Sequence, residues 1–176
     1  MKKVLFFALS MLIVANTYLF ATSGYEIKPH VGSADFDRLK ALAGTWKGTS
    51  IEMNGVKSDA AVEDSVTSNG SAVVEKLFSG TPHEMVTIYY DQKGKPSMTH
   101  YCAIGNRPQM NLASSSATEM KFDFSQTSAI DPAKEDHMHS LTLTFDGKDK
   151  LVQTWKFFKN GAEAGSTVIA LARNSK

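Results

Sequence analysis

The sequence has one cysteine, Cys102, so no disulfide can form within the chain and stability must come from packing. It has no charge bias either. The 19 Lys and Arg residues face 18 Asp and Glu, a balance that excludes an electrostatic nucleic-acid binder. There is no Gly-x-Ser-x-Gly elbow, phosphate loop, dinucleotide glycine fingerprint or His-Glu-x-x-His helix. Internal repeats and low-complexity segments are absent as well. What remains is 176 residues, enough for one domain with a sizeable core and short for two.

The long apolar run comes first. Met1-Lys2-Lys3 precedes an apolar stretch from Val4 to Ala15 and on to Phe20, the pattern of a secretory leader over residues 1–21. Cleavage fits after Ala21 or after Ser23. A transmembrane anchor is the rival reading, but Asn16 and Thr17 interrupt the run and small residues follow it. With no cysteine at the junction, lipid attachment there is excluded. The expected product is exported, to the periplasm or the medium, with no stable membrane span once the leader is gone. Losing Lys2 and Lys3 leaves 17 basic against 18 acidic residues.

Residues 22–32 read as a turn-prone arm, and residues 33–176 as a single domain. Ser33 to Gly44 predicts a short helix, with Ser33 as N-cap, Asp35 and Asp37 in the first turn and Gly44 as its stop. From Thr45 onward the pattern is extended. Strands are expected over 45–53, 56–67, 71–78, 84–90, 97–104, 109–113, 119–126, 137–145, 151–158 and 162–172. Asn54-Gly55, Asn69-Gly70, Lys93-Gly94, Asp146-Gly147 and Asn160-Gly161 fall between such runs and signal hairpins. A meander of about ten strands must curl to remove its edges. The expected fold is therefore all-β: an antiparallel up-and-down β-barrel of about ten strands preceded by one short helix.

Two strands carry ligand-type side chains two residues apart, and residues i and i+2 of a strand share a face. His100 pairs with Cys102, beside Met98 and Ile104. His137 pairs with His139, beside Leu141, Leu143 and Phe145. Both pairs are therefore expected to point toward the apolar interior, where polar groups need partners. Imidazole and thiolate suit zinc or copper, so His100, Cys102, His137 and His139 form a candidate metal set. The alternative is a satisfied core histidine beside a buried thiol. Glu75 shares a face with Val73 and Leu77 and is a candidate general base with a histidine, as is Glu84. His83 and Arg107 fit turn positions, and His30 lies in the arm.

Leu42-Ala43-Gly44-Thr45-Trp46-Lys47-Gly48, a Gly-x-Trp-x-Gly opening between a helix and a first strand, resembles the start of calycin barrels, the group of lipocalins, fatty-acid-binding proteins and nitrobindin-like proteins. Segments 79–87, 99–110 and 137–145 resemble the signature segments of a bacterial family of exported lipocalin-like domains with no settled function. The resemblance implies a barrel with Trp46 plugging its floor. Nitrobindin-like relatives hold haem through a histidine, yet no motif here matches that histidine's surroundings.

The leading expectation is a barrel that sequesters an apolar or amphipathic small molecule. His100, His137 and His139 would orient its polar end, and Trp46, Glu75, Phe122, Phe124 and Leu141 would complete the site. A zinc or copper protein, and a hydrolase or isomerase using a buried Glu and His, are the competing expectations. The cofactor is left open.

Overall fold

The computed structural model describes residues 27–174; the expected leader and residues 22–26 of the arm lie outside them. Helix α1, Ala34–Lys40, begins where Ser33 Oγ accepts the Phe36 N–H at 3.3 Å. It ends one turn before Gly44. Leu42 N–H bonds back to the Leu39 carbonyl, tightening the last turn, and Gly44 leaves it at φ 135°, a conformation glycine alone adopts freely. Phe36 and Leu39 are fully buried. The Ser33 N–H donates to Asp91 Oδ2 at 2.6 Å, and the Arg38 guanidinium lies 4.6 Å from the Phe145 ring centroid, fastening the helix across one end of the sheet.

Ten strands follow: β1 Gly44–Ile51, β2 Lys57–Thr67, β3 Ala72–Leu77, β4 Met85–Gln92, β5 Lys95–Tyr101, β6 Gln109–Ser115, β7 Glu119–Phe124, β8 His137–Asp146, β9 Lys150–Lys159 and β10 Ala162–Arg173. Each pairs antiparallel with the next, and β1 pairs with β10, so the expected up-and-down barrel closes. Lys93-Gly94 (φ 56° and 84°) and Asn160-Gly161 (φ 50° and 75°) adopt the left-handed pair that matches strand twist in two-residue hairpins. In the β1/β10 seam, a Cβ on Gly48 would overlap the Ala170 carbonyl oxygen, so glycine is required by close approach.

One strand boundary shifts by more than two residues. The fifth strand was expected to reach Ile104, but it stops at Tyr101. Gly105 N–H bonds to the Cys102 carbonyl at 2.9 Å, making 102–105 a turn, and Ile104 is exposed at its tip.

The inward faces supply the core: Trp46, Val62, Leu77, Tyr89, Met98, Met110, Met120, Phe122, Leu141, Leu143, Leu151, Trp155 and Ile169. Each such large side chain contributes about 1.5–3 kcal/mol by leaving water. Trp46 does plug the helix-covered floor. Its indole N–H donates to the Leu42 carbonyl at 2.9 Å, and the Arg173 guanidinium stacks 4.1 Å from its ring centroid while donating to the Ala41 and Ala43 carbonyls. The opposite end carries the connections 52–56, 78–84, 102–108, 125–136 and 160–161 and, among the described residues, has no such cover. Among the described residues no helix is long and apolar enough to cross a membrane.

Candidate functional site

A row of polar side chains crosses four neighbouring strands inside the barrel. The register places Asp64 opposite Glu75, Glu75 opposite Thr87, and Thr87 opposite His100. All four are buried. The row runs from the floor, where Asp64 pairs with Gly44, to the open mouth, where His100 forms part of the wall.

Glu75 is the best satisfied member. Tyr89 OH donates to its Oε1 at 3.3 Å, and Gln153 Nε2 donates to its Oε2 at 2.5 Å; Gln153 Oε1 in turn accepts the Trp155 indole N–H at 3.1 Å. Asp64 has no hydrogen-bond partner on either carboxylate oxygen. Burial pushes both carboxyls well above the ordinary range, and the charge of Glu75 raises Asp64 further. Neutral acids are the form this interior favours. Nothing in the residue pattern around Asp64 flagged it earlier, although its place two residues after Val62 and four after Ala60 on one strand face was the available signal.

Above the row lies a cavity of about 280 Å³ opening at the mouth. Leu77, Met85, Met138, Trp155 and Ile169 supply apolar wall, and Cys102, His100, Ser50, His83 and Glu52 the polar part. The His100 ring packs 4.6 Å from Trp155. Its Nδ1 is hydrogen-bonded to Thr87 Oγ1 at 3.0 Å, while its Nε2 and the Ser50 hydroxyl are both buried without a partner. Burial lowers the His100 pKa from 6.5 to about 4, so the imidazole is neutral at physiological pH. Burial also raises the Cys102 thiol, whose sulfur stands 4.0 Å from Met85 Sδ.

The second histidine pair does not face this cavity. Strand β8 carries a bulge between Met138 and Ser140, so Met138 opposes Phe157 and His137 opposes Phe158. Met138, the residue between the two histidines, takes the cavity position. The expected inward alternation from His137 through His139 to Leu141 is thereby corrected: one extra residue switches the faces. His139 sits in an outer groove with Lys121, Asp123, Lys156 and Glu163. Its ring is sandwiched between Phe124 at 5.3 Å and Phe158 at 3.8 Å.

His137 is fully buried and satisfied at both nitrogens. Nδ1 meets the Glu135 carbonyl at 2.7 Å and Nε2 meets His139 Nδ1 at 3.0 Å. A carbonyl only accepts, so His137 Nδ1 carries the proton and its Nε2 accepts from His139 Nδ1–H. Burial, with His137 beside it, lowers the His139 pKa.

The candidate metal set of His100, Cys102, His137 and His139 is therefore not brought together. Among the described residues no group of three or more His, Cys, Asp or Glu is placed to hold an ion. Of the expected ligand-binding residues, only His100 lines the mouth cavity. Trp46 closes the floor, Glu75, Phe122 and Leu141 fill the barrel below the mouth, and Phe124 joins the outer groove. Glu75 bonds to Tyr89 and Gln153, with Thr87 between it and His100, so no direct Glu–His pair forms. Glu84 lies at the surface holding the Gly80 N–H at 2.7 Å. Ser50, Met85, Met138 and Trp155 were missed as cavity walls; their strand-face parity was readable, but not which strands meet at the mouth.

No family model matches the sequence, and no curated protein matches it. Among solved structures the chain is similar to Rv2717c from M. tuberculosis, at 12% identity and a TM-score of 0.54, over 82% of this chain and 100% of that one. It is also similar to a protein of unknown function from the DUF3598 family of Nostoc punctiforme, at 9% identity and a TM-score of 0.51, over 84% of this chain and 51% of that one. At these identities what is shared is the fold, an antiparallel barrel, and not a named activity.

Proposed function

We propose that the protein binds a small amphipathic molecule in the mouth cavity, the apolar part against Leu77, Trp155 and Ile169 and one polar group between His100 Nε2 and Ser50 Oγ. The observation that carries this reading is the pair of buried polar atoms facing one cavity with no protein partner. Such atoms cost about 1–3 kcal/mol each when left unpaired, and a ligand that meets them recovers it. The cavity is at the small end of ligand sites, which selects against bulky molecules. A lipocalin-like sequestering role and export by the leader-like residues 1–21 belong to the same proposal.

Only two tryptophans exist, Trp46 in the floor and Trp155 in the mouth wall. A panel of short-chain amphipathic acids and alcohols titrated against the Trp46→Phe protein reads occupancy through Trp155 emission alone. Saturable change at one probe or more, weakened at least tenfold by Ser50→Ala, is the expected result. A flat response across the panel defeats the reading.

A further inference from the structure

The mouth cavity is unusually rich in sulfur. Met53, Met85, Met138 and Cys102 all border it, and His100 Nε2 is fully buried and unpartnered in its wall. Resting on the reading that this cavity is a binding site, we propose that it also takes a single monovalent copper ion, in competition with the amphipathic molecule for His100 Nε2. Cys102 Sγ, Met85 Sδ and His100 Nε2 are the ligands, and Met138 closes the fourth side.

The argument begins with placement. Val86 pairs with Tyr101, the last residue of β5, so Met85 at the start of β4 meets Cys102 just beyond that strand, and Cys102 lines the same cavity as His100. Sulfurs bound to one ion at about 2.3 Å, the usual thiolate-to-metal distance, and splayed by a trigonal angle are about 4.0 Å apart. The observed separation of Cys102 Sγ and Met85 Sδ is 4.0 Å. With Nδ1–H donating to Thr87 Oγ1, the hydrogen bond between them fixes the ring and leaves the Nε2 lone pair for the ion, the arrangement that orients metal-bound histidines.

Ligand softness then selects the ion. Zinc draws on Cys, His, Asp and Glu, and no set of three of these comes together among the described residues. Only the thioethers complete the site, and thioether with thiolate suits Cu(I). Hard cations would need oxygen ligands, of which the wall offers the Glu52 carboxylate and the Ser50 hydroxyl. A thiol ligand must lose its proton to bind. On binding, the S–H bond breaks, the sulfur–copper bond forms and one proton leaves to solvent; the ion arrives as Cu(I), and no electron is transferred.

The test uses the purified full chain with Cu(I) held reduced by ascorbate without oxygen, in competition with bicinchoninate. One copper per chain withheld from the chelator is expected. Cys102→Ser and Met85→Leu, each checked for fold by circular dichroism, should weaken retention at least tenfold, and a His137→Asn, His139→Asn double variant should retain it. X-ray absorption should show two sulfurs and one nitrogen on copper. Zn(II) should be held at least a hundredfold less tightly. Complete stripping of copper from the wild type, full retention by the folded Met85→Leu variant, or loss in the double-histidine variant would overturn the inference. If copper is stripped while the Trp155 titration still saturates, the copper inference alone falls; if Trp155 is silent as well, the cavity reading falls with it.

Discussion

Strand β5 with the turn that follows it, and strand β8, carry the same device, two ligand-type residues at i and i+2, and the barrel uses them in opposite ways. On β5 the pleat is unbroken through His100, so one imidazole nitrogen faces the cavity unpaired and the other is held by Thr87. On β8 an inserted residue turns the pair away from the cavity, and both nitrogens of His137 are spent on Glu135 and His139. Spacing alone therefore does not define a site. What separates the two is pleat continuity and whether the surroundings leave a lone pair or N–H unspent.

The largest effect comes from forcing on β5 what β8 tolerates. Deleting Thr99 would put the neighbouring Met98 and His100 in successive positions, so one buried side chain must face outward. Loss of a cooperative urea transition is expected, because strand β5 is paired on both sides with no bulge to absorb the slip. Next comes the aromatic support of each pair. Trp155→Ala, which removes the buried wall beside His100, should cost about 3–5 kcal/mol in urea unfolding; Phe158→Ala, half-buried over His139, should cost less than half of that.

The pH dependence follows from the neutral His100. Its pKa is about 4 in the folded chain against 6.5, so its stabilising effect is complete above pH 6.5 and is lost as pH falls toward 4. At about 1.4 kcal/mol per pH unit, the loss reaches about 3 kcal/mol by pH 4. Thermal melts of wild type and His100→Gln from pH 7 to 4 should show the wild type declining more steeply; parallel curves would contradict the buried neutral imidazole. A smaller effect is expected for deletion of His139 itself. The bulge residue has no partner in the ladder, so the strand regularises with Met138 still inward, and the cost should be the roughly 1–3 kcal/mol of leaving the buried His137 Nε2 unpartnered.

The parts legible in the sequence are those set locally. Ser33 with its acidic first turn, the Lys93-Gly94 and Asn160-Gly161 turns and the alternation of Met120 and Phe122 with charged residues each state their structure within a few positions. The bulge at His139 announces itself by no glycine or proline. Its ring between Phe124 and Phe158 ties together three strands, so the fit decides it. The sulfur wall was hidden for the same reason. Met53, Met85, Cys102 and Met138 lie on or just beyond four different strands and meet because all four reach the same end. The polar row was half visible: Glu75 stood out beside Val73 and Leu77, whereas its meeting with Asp64 depended on the β2/β3 register.

Nine of the ten strand pairings join chain neighbours through short links, and the tenth, β1 with β10, spans the whole domain. Closure of that seam thus carries the largest single loop entropy of folding and is expected to come last. Until it closes, the nascent sheet shows two bare edges, each competent to recruit another chain. Gly48 stands where the Ala170 carbonyl leaves no room for a Cβ in that seam. A side chain there would act on the lifetime of the open sheet, so its harm should scale with protein concentration during refolding, as a burden of aggregates in place of a simple loss of melting temperature.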